Sequence, residues 1–528
     1  MPSSLSKTRL DDRNSLLEAT GSLLGDEPII DADAIQGNGP IGFSKDRQAF
    51  MFLEIVDVSA AKQWLRTVLP WIATLREVKD FQALYTHVRL KRGHSAGTVT
   101  ANWINVALSY PGLAKLRPDA HLFRDPAFKE GMGRRAKSLG DPVDAISPGN
   151  PENWIIGRPG KEPDLLLILA CDTDEARNDF LDRIARTLSG ALRISFIQFG
   201  DAPPIPNSAH EHFGFRDGIS QPGIRGRLSN DGTDLLTPRQ NRANLDEGKP
   251  GQPLIWPGEF VFGYPSQDPS DMKRAGLVSN AGPSWGDNGS FLVFRRYRQD
   301  VKAFQNFIRK AVRTFKLKEA TDISDAKLGA MLLGRWSSGL PILRFPDGDN
   351  VSVSDDDLAD NYFNYQTSVP PLSSNDGRTI EGSVSDPAGL VCPFAAHIRR
   401  AYPRDDLAQR SEVETHRIIR RGIPFGPQYP SEGERGLVFI GYVTSIERQF
   451  EFVLREWFNN PDMPTRGAGL DPIVGQDPKT QRFVSLPFKS ASGQIKRTTF
   501  GLPDFVTVTG GGYFFVPSVP ALELMASD

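Results

Sequence analysis

The sequence predicts an α+β sandwich, with helices covering one face of a sheet, and it predicts the arrangement twice. Apolar runs with strand character are followed closely by segments whose apolar residues recur every three or four positions. The same succession returns after the proline-rich stretch Pro203-Pro204-Ile205-Pro206. At 528 residues the chain also exceeds one ordinary core. Two domains are therefore expected, over residues 34–202 and 203–528, behind a mobile N-terminal arm over residues 1–33. No residue-level repeat adds to this pattern.

The elements follow in order. A turn-rich segment, Ile35 to Phe43, precedes the first strand, Ala49 to Val56. A helix starts at Ser59, a good N-cap, and carries Trp64, Leu65, Val68, Leu69 and Ile72 on one buried face. Ala101 to Leu108 reads as a second strand and Asp164 to Ala170 as a third, buried one. The next helix is capped by Asp172 or Thr173, has an acidic first turn and ends at Gly190. Ile194 to Phe199 is a fourth strand. In the second half, Ser290 to Tyr297 and Leu437 to Tyr442 read as strands, and Val301 to Phe315 and Phe450 to Trp457 as helices. Near the end, Phe505 to Val508 and Tyr513 to Val516 flank three glycines, as in a hairpin. Residues 228–256 and 346–385 are long polar or Gly/Pro-rich connections, expected as surface loops or lids.

Composition excludes several classes. The net charge is -2, without a basic stripe or an acidic tail, so neither nucleic acid nor an anionic membrane is an expected partner. The N-terminal segment lacks the apolar core of a secretory signal, and no membrane-length apolar run occurs. A soluble, cytoplasmic protein is expected. Two cysteines, Cys171 and Cys392, are too few for a disulfide framework. Cys171 closes the run Leu165 to Ala170 and is expected as a buried thiol. A hydrolase finds no support, because zinc-protease, nucleophile-elbow and phosphate-loop motifs are all missing.

Three segments carry chemistry. His212-Phe213-Gly214-Phe215-Arg216-Asp217-Gly218-Ile219-Ser220-Gln221-Pro222 sets one acid between glycines, where backbone can approach a flat ligand. Among seven histidines, His397 has the small apolar stretch Cys392-Pro393-Phe394-Ala395-Ala396 before it and Arg399-Arg400 after it. Arg420-Arg421-Gly422-Ile423-Pro424-Phe425 supplies a cation. Each has an ordinary reading as well: an Asx turn at Asp217, a half-buried His397, a solvated arginine. Arg417 and Arg421 are rivals to Arg420.

Taken together, these segments resemble the dye-decolorizing peroxidases, with further likeness at Ile35-Gln36-Gly37-Asn38, Gly258 to Pro265, Gly289 to Arg295 and Tyr513 to Ser518. The likeness runs from about Ile35 onward and points to the large fungal-type or long bacterial group. Gly39-Pro40-Ile41 departs from the bulky residue usual after Gly37-Asn38. The resemblance implies two ferredoxin-like domains with antiparallel sheets and peripheral helices. One haem b per chain would lie between sheet and helices of the C-terminal half. His397 would be the axial iron ligand, Asp217 the proton shuttle and Arg420 the distal cation. Gly218 and Ile219 would lie against the cofactor, and Leu437 and Phe439 would shape peroxide access. Arg399 or Arg400 would meet a propionate, since guanidinium pairs well with carboxylate. Asp471 resembles the proximal carboxylate that orients the histidine. Trp457 resembles a surface tryptophan that passes electrons from bulky dyes, and it reads equally as a helix residue beside Phe452 and Phe458.

The implied activity is reduction of hydrogen peroxide and one-electron oxidation of phenols, dyes or other aromatics, by a monomer or homodimer. The alternative is a haem carrier or iron-release protein without turnover. An intact Asp217 and Arg420 pair argues against that, because a carrier needs no acid–base group beside a cation.

Overall fold

Side-chain alternation along nine strands sets the architecture of the protein, seen here in a computed structural model. Residues 27–527 are described, apart from 93–98, 189, 205–206, 208, 241–243, 320–322, 351–357, 359, 374–378, 477–480 and 491. Most of the expected arm, residues 1–26, therefore lies outside the described residues. Its last part is anchored: buried Glu27 pairs with Arg225 and Arg239, and the Ile30 amide donates to the Arg227 carbonyl at 2.7 Å.

The N-terminal half contributes β1 (Arg47–Ile55), β2 (Trp103–Leu108), β3 (Leu165–Cys171) and β4 (Leu192–Asp201). The C-terminal half contributes β5 (Ser290–Gln299), β6 (Ile419–Arg420), β7 (Ile423–Phe425), β8 (Gly436–Val443) and β9 (Val506–Val516). All nine join one antiparallel sheet in the order β6-β8-β5-β9-β2-β3-β1-β4, with β7 also on β8. Each half has the ferredoxin-like order fourth, first, third, second, with β6 and β7 together standing as the second strand of the later half. The halves are sewn together where Phe515 of β9 lies opposite Leu108 of β2.

The sheet curls until its outer strands meet, so closely that a side chain at Gly200 of β4 would strike Ile423 of β7. Alternate residues then fall on two sides. Phe50, Phe52, Leu166, Ile168, Leu292, Phe294, Val438 and Ile440 fill the inside. Met51, Leu53, Leu167, Leu169, Phe291 and Val293 face outward, toward the helices.

On that outer face of the N-terminal half lie α1 (Val58–Val68) and α3 (Asp174–Thr187), with α2 (Leu75–Arg92) between them in sequence. Buried Trp64, Leu65 and Val68 of α1, and Phe180, Leu181 and Ile184 of α3, make the contact. The cap of α1 is Asp57 rather than Ser59: the backbone is still extended at Asp57, and its side chain accepts from the Ala60 amide at 2.7 Å. Thr173 caps α3, which ends at Thr187, short of Gly190. In the C-terminal half, α4 (Val301–Glu319), α5 (Asp325–Leu333) and the short α6 (His397–Ala401) surround the sheet, and α7 (Val519–Ser527) returns to α1. The helix expected over Phe450 to Trp457 falls within Glu447–Glu451 and Val453–Phe458, which wind as π-helix, a form often found beside functional sites.

The glycines 510–512 do not make a hairpin turn. They lie inside the continuous strand β9. The Gly511 amide donates to the Ile156 carbonyl at 3.1 Å, and a side chain there would strike the Met132 sulfur. Their smallness admits a neighbouring segment over the strand. The connection 228–256 is also tied inward, through buried Leu228, Leu235 and Leu236 and a parallel pairing of Leu254–Ile255 with Gly223–Ile224. Both cysteines are free and buried, and burial pushes the thiols of Cys171 and Cys392 up to about 11 and about 12. No helix among the described residues is long and apolar enough to cross a membrane.

Candidate active site

Between the outer face of the C-terminal sheet and its helices lies a cavity with apolar walls. Leu437 and Phe439 reach it from β8, because residues of that strand next to inward-facing Val438 and Ile440 must point outward. Phe450, Val453, Leu454 and Phe458 of the π-helix form another wall, and Ile398 and Leu333 close the floor.

His397 is the first residue of α6 and lines the cavity. Its Nδ1 donates to the Asp471 carboxylate at 2.8 Å. Asp471 is fully buried, and its other oxygen accepts from the amides of Ile473 and Val474 at 2.9 and 2.8 Å. Burial works against the charged imidazole, but the Asp471 carboxylate outweighs it and holds the ring above the ordinary histidine range. With Nδ1 committed, Nε2 is the nitrogen left for a ligand.

Asp217 and Arg420 line the same cavity and pair at 3.3 Å. The Asp217 turn depends on Gly214 and Gly218, both at positive φ (93° and 77°), a backbone that other residues rarely adopt. The Asp217 carboxylate also accepts from the Gly218 amide at 2.6 Å, and Arg420 Nη2 donates to the Ser220 carbonyl at 3.1 Å. Gln221 fixes Arg420 from behind: its amide group donates to the Arg420 carbonyl and accepts from the Arg420 amide, at 3.0 and 3.1 Å. Gly218 and Ile219 line the cavity as expected.

Three expectations are corrected. Arg399 does not face the cavity; its buried guanidinium is taken by Asp406 and Asp386. Arg400 is equally buried and donates to the carbonyls of Phe394, Trp457, Asn460 and Gly469. Trp457 is not a surface residue. It is 3% exposed, with its ring edge-on to Phe452 and His416. Of the rivals to Arg420, Arg421 donates to the carbonyls of Asn38 and Pro40, and Arg417 pairs with Glu414.

The cavity also holds groups that local sequence did not mark. Arg335 and Arg404 line it, both buried, with hydrogen bonds to oxygens of Gly339, Asp360, Asn361 and Phe363 rather than to carboxylates. Burial presses the Arg335 guanidinium down to about 10, against the pull of the Asp360 carboxylate. The Tyr365 hydroxyl is buried without a hydrogen-bond partner among the described residues. Glu211 holds the Asp217 turn by accepting from the amides of Phe213 and Phe215, each at 2.9 Å, and burial pushes its carboxyl up to about 7. Only the Glu211 side of this could have been read earlier, from its place at the head of the motif.

One apolar-walled cavity thus holds a carboxylate-anchored imidazole together with an acid–guanidinium pair, a set suited to peroxidase chemistry. The comparisons with known proteins agree. Residues 34–198 match the model of the DyP dimeric alpha+beta barrel domain, and residues 354–465 match that of the Dyp-type peroxidase, C-terminal. A dye-decolorizing peroxidase of Mycetinis scorodonius is 31% identical over 93% of this chain and 87% of its own. A multifunctional dye peroxidase of an Amycolatopsis species is 25% identical over 93% of this chain and 95% of its own. Among solved structures, an ancestral D-type dye-decolorizing peroxidase superposes with TM-score 0.74 at 30% identity, over 95% of this chain and all of that one. The Auricularia auricula-judae enzyme in complex with imidazole gives 0.72 at 26% identity, over 94% of this chain and all of that one. The chain belongs to the dye-decolorizing peroxidase family, whose members are haem enzymes, and it is a peroxidase.

Proposed function

We propose that the cavity binds one haem b, with His397 Nε2 as axial ligand, and that the chain reduces hydrogen peroxide at the expense of phenols, dyes or similar aromatic donors. The observation that carries this is one cavity holding the Asp471-anchored His397 and the Asp217–Arg420 pair together. The donor set fits the cofactor. His397 offers one imidazole nitrogen to an apolar-walled cavity, which suits a metal that brings its other ligands with it. The two propionates would meet Arg335, Arg404 and the Tyr365 hydroxyl, buried donors whose hydrogen bonds among the described residues go to no carboxylate. When bound, haem supplies the redox chemistry and the iron to which peroxide adds.

The chain's own residues do the rest. Asp471 keeps the proton on His397 Nδ1 and fixes the ring plane. The Asp217 carboxylate takes the proton from the first peroxide oxygen and returns it to the second, the leaving oxygen. Arg420 Nη1, held against Asp217, stabilises negative charge on that leaving oxygen. Leu437 and Phe439 keep the surroundings apolar and exclude bulk water. All these residues come from a single chain, so a monomer is competent and a homodimer needs no shared site.

The test is an absorption spectrum of the purified protein during peroxide addition. A Soret band that shifts with one equivalent of peroxide in the wild type, but not in Asp217→Ala or Arg420→Leu, is the expected result. His397→Ala should lose the haem. A stable Soret band indifferent to peroxide would instead make the chain a carrier.

A further inference from the structure

Three tyrosines among the described residues line the cavity, and they differ in what their hydroxyls can do. The Tyr365 hydroxyl has no hydrogen-bond partner among the described residues and is the one that would be taken by a propionate. Tyr297 is buried beside the Arg295 guanidinium, a donor that cannot take a proton. Tyr402 is different: its hydroxyl donates to the Glu414 carboxylate. Glu414 is itself fully buried and accepts from Arg417 Nη1 at 2.9 Å. The Tyr402 ring is also flanked by cations, with the guanidinium of Arg417 at 3.8 Å from its centroid and that of Arg404 at 4.8 Å.

These contacts set the conditions under which the ring can lose an electron. A positively charged ring would be repelled by both guanidiniums, in a buried setting where such repulsion is strong. Loss of the phenolic proton in the same event removes that charge, and the acceptor is already in place. We propose that Tyr402 is an internal one-electron donor to the cofactor, with Glu414 as its base. This rests on the haem peroxidase reading. In the step, the phenolic O–H bond breaks and its proton forms an O–H bond on the Glu414 carboxylate. One electron passes to the cofactor oxidised by peroxide, which is reduced by one equivalent, and a neutral phenoxyl is left on Tyr402. One electron from an aromatic donor restores the phenol as Glu414 returns the proton.

The cations make the pair separable by experiment. The holoenzyme is mixed with hydrogen peroxide without an added donor, freeze-quenched, and read by electron paramagnetic resonance. The wild type should show a tyrosyl signal that Tyr402→Phe lacks while peroxide still shifts its Soret band. Glu414→Gln should lose the signal too, although Tyr402 is intact, because an amide oxygen accepts a hydrogen bond but does not keep the proton. Formation of the wild-type signal should be slower in D2O. The same tyrosyl spectrum in Tyr402→Phe, or no tyrosyl signal in a wild type that consumes peroxide, would overturn the assignment while leaving the peroxidase intact. Should Glu414→Gln fold poorly, the Tyr402→Phe spectrum and the D2O measurement decide alone. A wild type that binds no haem would refute the underlying reading instead.

Discussion

In the N-terminal half, α1 and α3 lie directly on the outer face of the sheet, and Trp64, Leu65, Phe180 and Ile184 fill the space over Met51, Leu53, Leu167 and Leu169. In the C-terminal half, four strands run in the same order but the long helix is drawn elsewhere. Phe304, Phe307 and Phe315 of α4 pack on Phe505 and on Phe488 and Phe500 of the ribbon formed by Phe483–Lys489 and Ile495–Gly501. The outer face of β8 is left to a π-helix and to loops, and Leu437 and Phe439 stay partly uncovered. One topology thus gives a filled core in one half and a ligand cavity in the other. What decides between them is where the covering helix finds its aromatic partners.

Substitutions on the two sides should therefore fail differently. The largest effect falls in the cavity: Asp217→Ala should slow the peroxide step by about 10²–10⁴-fold, the range typical of proton relay, at unchanged haem content and melting temperature. Stopped-flow absorbance measures it. In the filled half, Leu167→Ala should cost about 2–5 kcal/mol of stability, as large-to-small core changes do, with activity per haem unaltered. Thermal unfolding beside a haem-normalised assay separates the two. A drop in activity per haem would show that the halves are mechanically coupled.

Asp471→Asn sharpens the picture of the proximal side. Loss of an orienting partner typically costs about 10–100-fold, so haem retention and turnover should fall together by that amount while the fold persists. The smallest expected effect is a slope. Burial pushes the Glu259 carboxyl up to about 7 in spite of Arg448, from an ordinary 4.5. The folded chain then holds a proton that the unfolded chain releases. That contribution is whole below about 4.5 and is lost as pH rises through about 7. Glu259→Gln should flatten the fall in stability over that window, by on the order of 1 kcal/mol per pH unit, as denaturant midpoints would show.

Much of this could be read from the chain alone. The strand runs were placed within a few residues, because alternation and apolar content are properties of neighbours along the backbone. His397, Asp217, Arg420 and Asp471 stood in motifs whose glycines and prolines fix their local geometry. The misreadings share one cause. Arg399 and Arg400 sit beside His397 in sequence, yet Asp406 and Asp386 claim the first and carbonyls as distant as Gly469 claim the second. Arg335 and Arg404 take the cavity positions instead. The glycines 510–512 offered a turn, and a crossing segment made them strand. Trp457 had an amphipathic setting, and His416 and Phe452 covered it.

Composition and periodicity thus determined which elements form and which side chains carry reactive groups. Which cations meet the cavity, which aromatic is covered and which tyrosine has a base were decided by packing. A buried charge is held by whichever partner reaches it in space, and that partner stands at no fixed distance along the chain.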